Sequence, residues 1–209
     1  MVRRLLWAGL LATLGAGLVG AARQRREMVV ARRAATEASA RAAGAGGAAG
    51  AGRTSPRPVA APPPRQGPLG RHLATWVPEP PSTPLGRVAA FVWASPLTAV
   101  GLLVAFVSGG RPRWQPDYRC FVTDGVRGPS AAALRLVGAQ ANAIGHVVLS
   151  RQGTSAPALL AHEAVHVRQA ERLGPLLFPV YLWMSARYGY RHHPIEQAAR
   201  LGATRATRR

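Results

Sequence analysis

The chain contains no lysine, a single cysteine (Cys120) and only eight acidic residues among 209. One cysteine cannot close an intramolecular disulfide or build a multi-cysteine zinc finger, so both scaffolds are excluded. Eight carboxylates are too few for an acidic calcium-binding or metal-buffering protein. Against them stand 27 arginines, for a formal net charge of +19. Such a charge favours adhesion to anionic surfaces of any kind. It does not single out nucleic acid, because the arginines are spread over linker-like and membrane-adjacent segments and no nucleic-acid-binding module is recognisable.

Uncharged runs organise the first half. Positions 5–22 carry no charge and are flanked by Arg3, Arg4 and by Arg23, Arg25 and Arg26. A basic start, an apolar middle and small residues fit a cleaved signal, whereas the arginines just after Ala22 favour an anchor that is kept, so 1–23 is read as an anchor or signal-like segment. Residues 24–86 are rich in Ala, Gly, Pro and Arg, with almost no large apolar side chain before Leu69. Such a stretch cannot bury enough surface to offset its ordering entropy and is expected to be a disordered linker, apart from a marginal helix near 25–43. Residues 88–110 form 23 uncharged positions between Arg87 and Arg111, with Trp93 inside and Trp114 just beyond. At about 1.5 Å per residue they reach roughly 34 Å, so 87–110 is expected to cross a membrane, with a kink at Pro96. A buried helix of a soluble protein is the competing reading. The arginine distribution leaves the orientation of such a chain open.

Beyond Arg111 the pattern is mixed. Residues 119–123 read as a short strand ending in an Asp124-Gly125 turn, and 142–150 alternate as a second strand. Thr154 or Ser155 can cap a helix with Pro157 in its first turn, running to Arg172 before Gly174 and Pro175 stop it. An apolar stretch over 176–186 and a short helix over 194–202 complete the region.

The predicted helix contains His162-Glu163-Ala164-Val165-His166. At about 100° per residue, positions four apart lie within roughly 40° of each other, so both imidazoles can face one tetrahedral zinc with the intervening Glu beside them. With six His and six Glu, shuffling this composition would give such a pattern about 0.005 times, so chance is a poor explanation. Only Glu163, Glu171 and Glu196 carry carboxylates after Arg151. Glu196 opens a following helix, where a third ligand can return to leave an open position for water. The competing view makes His162 and His166 surface residues, pairs Glu163 with an arginine such as Arg168, and leaves Glu196 as a first-turn acid favoured by the helix dipole. His146, outside the motif, is read as structural.

The run LLAHEAVHVRQAERLGPL, a Pro-interrupted apolar helix and then YGYRHHPIEQAAR resembles small membrane-attached zinc metallopeptidases of the gluzincin kind, in which HExxH is followed by Pro-x-Glu-x-x-Ala. The likeness covers about the last 120 residues. It departs at His192-His193, where a polar Asn or Asp is expected before the proline, which leaves open whether a histidine there competes as a ligand. The resemblance implies Zn²⁺ on His162, His166 and Glu196, with Glu163 as the base that takes a proton from the attacking water. Tyr190, His192 and His193 are candidates for the donor that shares the oxyanion, with an interfacial belt as their alternative role. It also implies that residues 143–149 form an edge strand able to align an extended substrate.

The expected architecture is therefore α+β, a membrane-anchored zincin-like domain over 111–209 with a short β-hairpin or edge strand and an HExxH helix. One or two transmembrane helices and a disordered linker precede it. The expected function is membrane-tethered, zinc-dependent peptide hydrolysis at a bacterial plasma membrane, with lipid and a peptide or protein substrate as partners. The alternative is a non-catalytic, Arg-rich anchor or scaffold that binds anionic headgroups, with or without zinc.

Overall fold

The computed structural model describes Glu37, residues 65–190 and residues 192–208. The anchor or signal reading of 1–23, the helix near 25–43 apart from Glu37, and the linker as far as residue 64 lie outside the described residues. In chain order the elements are α1 (Pro68–Thr75), α2 (Pro84–Val107), β1 (Arg113–Gln115), β2 (Cys120–Thr123), α3 (Gly128–Val137), β3 (Ala141–Ile144), β4 (Val147–Ser150), α4 (Pro157–Leu173), a 3₁₀ turn (Gly174–Leu176), α5 (Leu177–Tyr188) and α6 (Pro194–Ala206). The fold is α+β.

The four strands form one mixed sheet in the order β1-β2-β4-β3. β1 pairs antiparallel with β2, β2 parallel with β4, and β3 antiparallel with β4. The parallel step from β2 to β4 is bridged by α3 and β3, as parallel neighbours require a crossover. β4 is buried at all four positions. Successive side chains alternate between the two sheet faces. Val147 and Leu149 join Ala105 of α2 and Ala131 and Leu134 of α3. Val148, with Cys120 and Val122, meets Leu160 and Val167 of α4. The sheet thus sits between α2 and α3 on one face and the HExxH helix on the other. A third cluster ties Met184 and Tyr188 of α5 to Ile195 of α6, with Leu73 of α1 against it.

Three local expectations are corrected. The strand expected over 142–150 is a hairpin, β3 and β4, turning at Gly145 and His146. Gly145 has φ +61°, and a Cβ there would meet the backbone of Thr98 on α2, so only glycine suits both the conformation and the contact. The side-chain cap expected for α4 is absent: the helix opens at Pro157 after an extended Ala156. Pro157 holds its predecessor extended, and Ser155 Oγ donates instead to Asp124 Oδ1 at 2.6 Å.

The disordered linker expected up to residue 86 does not extend over 65–86. There α1 packs on α6, and Gln66 Nε2 donates to the His192 carbonyl at 3.0 Å. Large apolar residues begin at Leu69, and Leu73 is one of those that reach the core. Gly70 allows α1 to lie close to the Tyr188 ring.

Helix α2 has 24 residues and is long and apolar enough to cross a membrane by length and composition. It is also part of the folded domain. Ala94, Thr98, Gly101 and Ala105 are buried, and at Gly101 a Cβ would meet the Ile144 carbonyl and Val147. Thr98 Oγ1 receives the backbone N–H of His146 at 3.1 Å and lies 3.0 Å from its Nδ1. His146 Nε2 stands 3.3 Å from Glu171 Oε1, which Arg119 approaches at 3.4 Å. His146 therefore fastens the hairpin turn to α2 and α4, in keeping with its structural reading.

Candidate metal centre

Helices α4 and α6 cross so that three side chains converge. His162 and His166, one turn apart on α4, meet Glu196 from the first turn of α6, and their ligand atoms all lie within 4.8 Å of one another. His162 Nε2 is 3.5 Å from Glu196 Oε2, and His166 Nε2 is 3.4 Å from Glu196 Oε1. Donors at 2.0–2.1 Å around a tetrahedral zinc stand about 3.4 Å apart, so each histidine already has one carboxylate oxygen near the required spacing. Pro194 at the first helical position starts α6 and places Glu196 on its N-terminal turn, where the helix dipole favours a carboxylate.

A buried Gln169, one turn beyond His166, orients that ring. Its Oε1 lies 2.8 Å from His166 Nδ1, and its Nε2 reaches the Ile195 carbonyl at 3.5 Å. An acceptor at Nδ1 keeps that nitrogen protonated and turns Nε2 toward Glu196, so Nε2 is the atom a metal would meet once its own proton is lost. Tyr181 of α5 donates its hydroxyl to Glu196 Oε1 at 2.7 Å. The motif gave no signal for Tyr181, whereas Gln169 could have been found as a polar side chain three positions after a ligand on one helical face.

The trio is an ion-paired cluster as it stands. Burial opposes a charge on His166, but the Glu196 carboxylate beside it, with Glu163 and Gln169, outweighs burial and raises its pKa to about 9. Burial likewise opposes ionisation of Glu196, yet the two histidines hold its carboxyl well below the usual range. Glu163 differs. Its pKa is raised by burial against the pull of both histidines, and its Oε2 has no hydrogen-bond partner. An elevated carboxyl with a free oxygen beside a metal-ligand cluster suits a general base.

The competing surface arrangement does not fit. His162 and His166 side chains are only 17 % and 10 % exposed, and the carboxylates acting on Arg168 are those of Glu171 and Glu79 rather than Glu163. Of the three candidate oxyanion donors, Tyr190 lines the same cavity as the trio, with burial and Glu196 both raising its pKa. His193 is fully buried and turned toward the Tyr181 carbonyl at 3.0 Å, and burial lowers its pKa to about 4. His192 accepts from Gln66 Nε2 at 3.0 Å through its backbone carbonyl. Neither is among the residues lining the cavity or the metal-ligand cluster. The same proline that opens α6 makes His193 its N-cap and turns that ring into the α5–α6 contact.

The cavity, about 330 Å³, runs from Glu196 and Tyr181 past Asn142 and Ile144 of β3 to Leu134 of α3 and Val104 of α2. The sheet edge bordering it is β3, not the whole of 143–149, because β4 is internal and paired on both sides. A backbone hydrogen bond from Ala143 also reaches Glu163, which fixes the base against that edge.

Comparison of the chain with protein-family models, with curated proteins and with solved structures finds no match. The class that this site suggests therefore rests on its own chemistry.

Proposed function

We propose that the chain is a membrane-attached, zinc-dependent metallopeptidase. The observation that carries the reading is the convergence of His162, His166 and Glu196 on one point beside the unpartnered oxygen of Glu163. The residues fit zinc in donor type, spacing and protonation control: two imidazoles and a carboxylate near tetrahedral separation, one ring held by Gln169. When bound there, zinc would supply Lewis acidity toward a water and a scissile carbonyl. Glu163 Oε2 would take the proton of the attacking water and return it to the leaving amine. Tyr190, which lines the cavity, would be the donor that stabilises the developing negative charge. The β3 edge and the groove toward Leu134 would hold an extended peptide.

A second reading is a non-catalytic anchor or scaffold. The His166–Glu196 contact favours it, since the ion-paired trio is satisfied electrostatically as it stands. Elemental analysis of the purified full chain separates the two at the first step. One zinc per chain, absent in His162→Ala and in Glu196→Ala, is expected. Peptide hydrolysis lost in Glu163→Gln with zinc retained would complete the case. No stoichiometric zinc after reconstitution would leave the scaffold.

A further inference from the structure

Helix α2 is turned inside out for a surface helix. At about 100° per residue, Ala94, Thr98, Gly101 and Ala105 share one side, and Leu85, Val88, Val92, Leu103 and Phe106 share the opposite side. The first set is buried in the domain. The second is open: Leu85 is 79 % exposed, Leu103 63 % and Phe106 65 %. Filling out that outer side are Ala89, Pro96, Ala99, Val100 and Val107, so it carries no polar side chain along its length. Water does not leave such a face uncovered.

The chemistry around the face names its cover. Arg87 in the first turn of α2 and Arg111 beyond its last are the charges nearest the helix, and no carboxylate occurs from Pro80 to Pro116, so the charge complement of this region is an anionic headgroup layer. Trp93 and Trp114, about half exposed, stand along its flank and beyond its end, as indoles do at a lipid–water boundary. The turn Gly174–Leu176 packs on α2, with Gly174 against Trp93, and the exposed Leu176 extends the apolar surface there.

The inner side decides how α2 meets that membrane. Thr98 lies about 21 Å from the start of α2 and about 14 Å from its end. Were the helix upright in a hydrocarbon core of about 30 Å, the hairpin turn at His146 would lie deep within it. The Arg119–Glu171 pair and the open edge of β3 are joined to that level. Open sheet edges do not occur in hydrocarbon.

We propose that α2 lies flat in a membrane interface, its outer face sunk among anionic lipids and its inner face carrying the sheet and the metal centre. This rests on the membrane attachment proposed above and is independent of the zinc chemistry. Val104, on the flank of α2, also lines the groove, so segments lying on the bilayer surface are the substrates it would meet first.

Three positions on the outer face test this: Val88→Cys, Ala99→Cys and Phe106→Cys in the full chain, each carrying an environment-sensitive fluorophore. Cys120 is fully buried, and the unsubstituted protein serves as the labelling blank. The proteins are reconstituted in phosphatidylethanolamine–phosphatidylglycerol vesicles containing lipids with a quencher placed either shallow or deep on the acyl chain. Stronger loss of fluorescence with the shallow quencher at all three positions is expected. Preferential quenching of Ala99 by the deep probe, with both ends shallow, would show a spanning helix and overturn the proposal. Absence of quenching at all three would also overturn it, showing a face covered by protein, such as a second copy of the chain. Neither outcome bears on zinc content or hydrolysis, which are measured separately.

Discussion

Replacing Gln169 with Leu removes the acceptor at Nδ1 of the His166 ring without touching a metal ligand. The bond it breaks is 2.8 Å long and buried at both ends. Without it, the His166 ring loses the contact that orients Nδ1 and can turn, so part of the apoprotein population presents the wrong atom to the metal. Loss of such a supporting contact typically costs 10–100-fold in metal affinity, or about 1.4–2.8 kcal/mol. The weak 3.5 Å contact from Gln169 to the Ile195 carbonyl adds little to that figure. Competition against a chromophoric chelator at fixed pH measures the zinc Kd directly, and chemical denaturation of the same samples shows whether the fold is kept. Gln169→Glu retains an acceptor at a similar reach and is expected to recover most of the affinity. A Gln169→Leu protein that is folded and binds zinc as the parent does would refute the view that this side chain sets the ligand atom of His166.

Glu163→Gln is expected to retain zinc and lower the turnover of any peptide substrate by about 10²–10⁴-fold, the usual worth of a positioned general base, read in a fluorogenic peptide assay. Zinc binding must displace the proton that Glu196 holds on His166, so affinity is expected to rise with pH up to about 9 and then level off, as metal titrations across the range would show. In the apoprotein the sign is opposite. The raised His166 pKa contributes stability that is complete below its unfolded value of 6.5 and is lost as pH rises through about 9, so the unfolding free energy should fall across that window. His193, lowered to about 4, has the reverse effect: apoprotein stability is expected to fall as pH drops from 6.5 toward 4, by about 3 kcal/mol at most, measured by urea denaturation. Gly145→Ala places a Cβ at φ +61° against the Thr98 backbone and should cost more than the roughly 1 kcal/mol of the conformation alone, visible as a lowered urea midpoint.

The HExxH spacing, the proline that opens α4 and the Pro-x-Glu start of α6 were legible in the sequence because each is a local rule: helical period, fixed proline φ and dipole preference act within one or two turns. The same rules marked the uncharged run of α2 and the approximate place of α5. The strand expected over 142–150 showed the limit. Val147 and Leu149 do share a face, but the turn at Gly145 is hidden in the sequence because its cause, the approach of Thr98, lies about fifty positions away. Helix α3 and strand β1 leave no clear signal in the sequence, since Gly128–Val137 is short and rich in alanine and β1 has only three residues.

Residue types and spacing thus determined which side chains could bind a metal and where the apolar helix begins and ends. Only tertiary structure brought Glu196 to the two histidines, Gln169 and Tyr181 to their sides, and the interior of the domain to the small face of α2. A helix's own sequence sets which residues share a face, whereas what that face meets is decided by segments folding back from a distance. The apolar run of α2 illustrates the difference: its length allowed a membrane crossing, but the hairpin turn seated on Thr98 determines which side of it stays exposed.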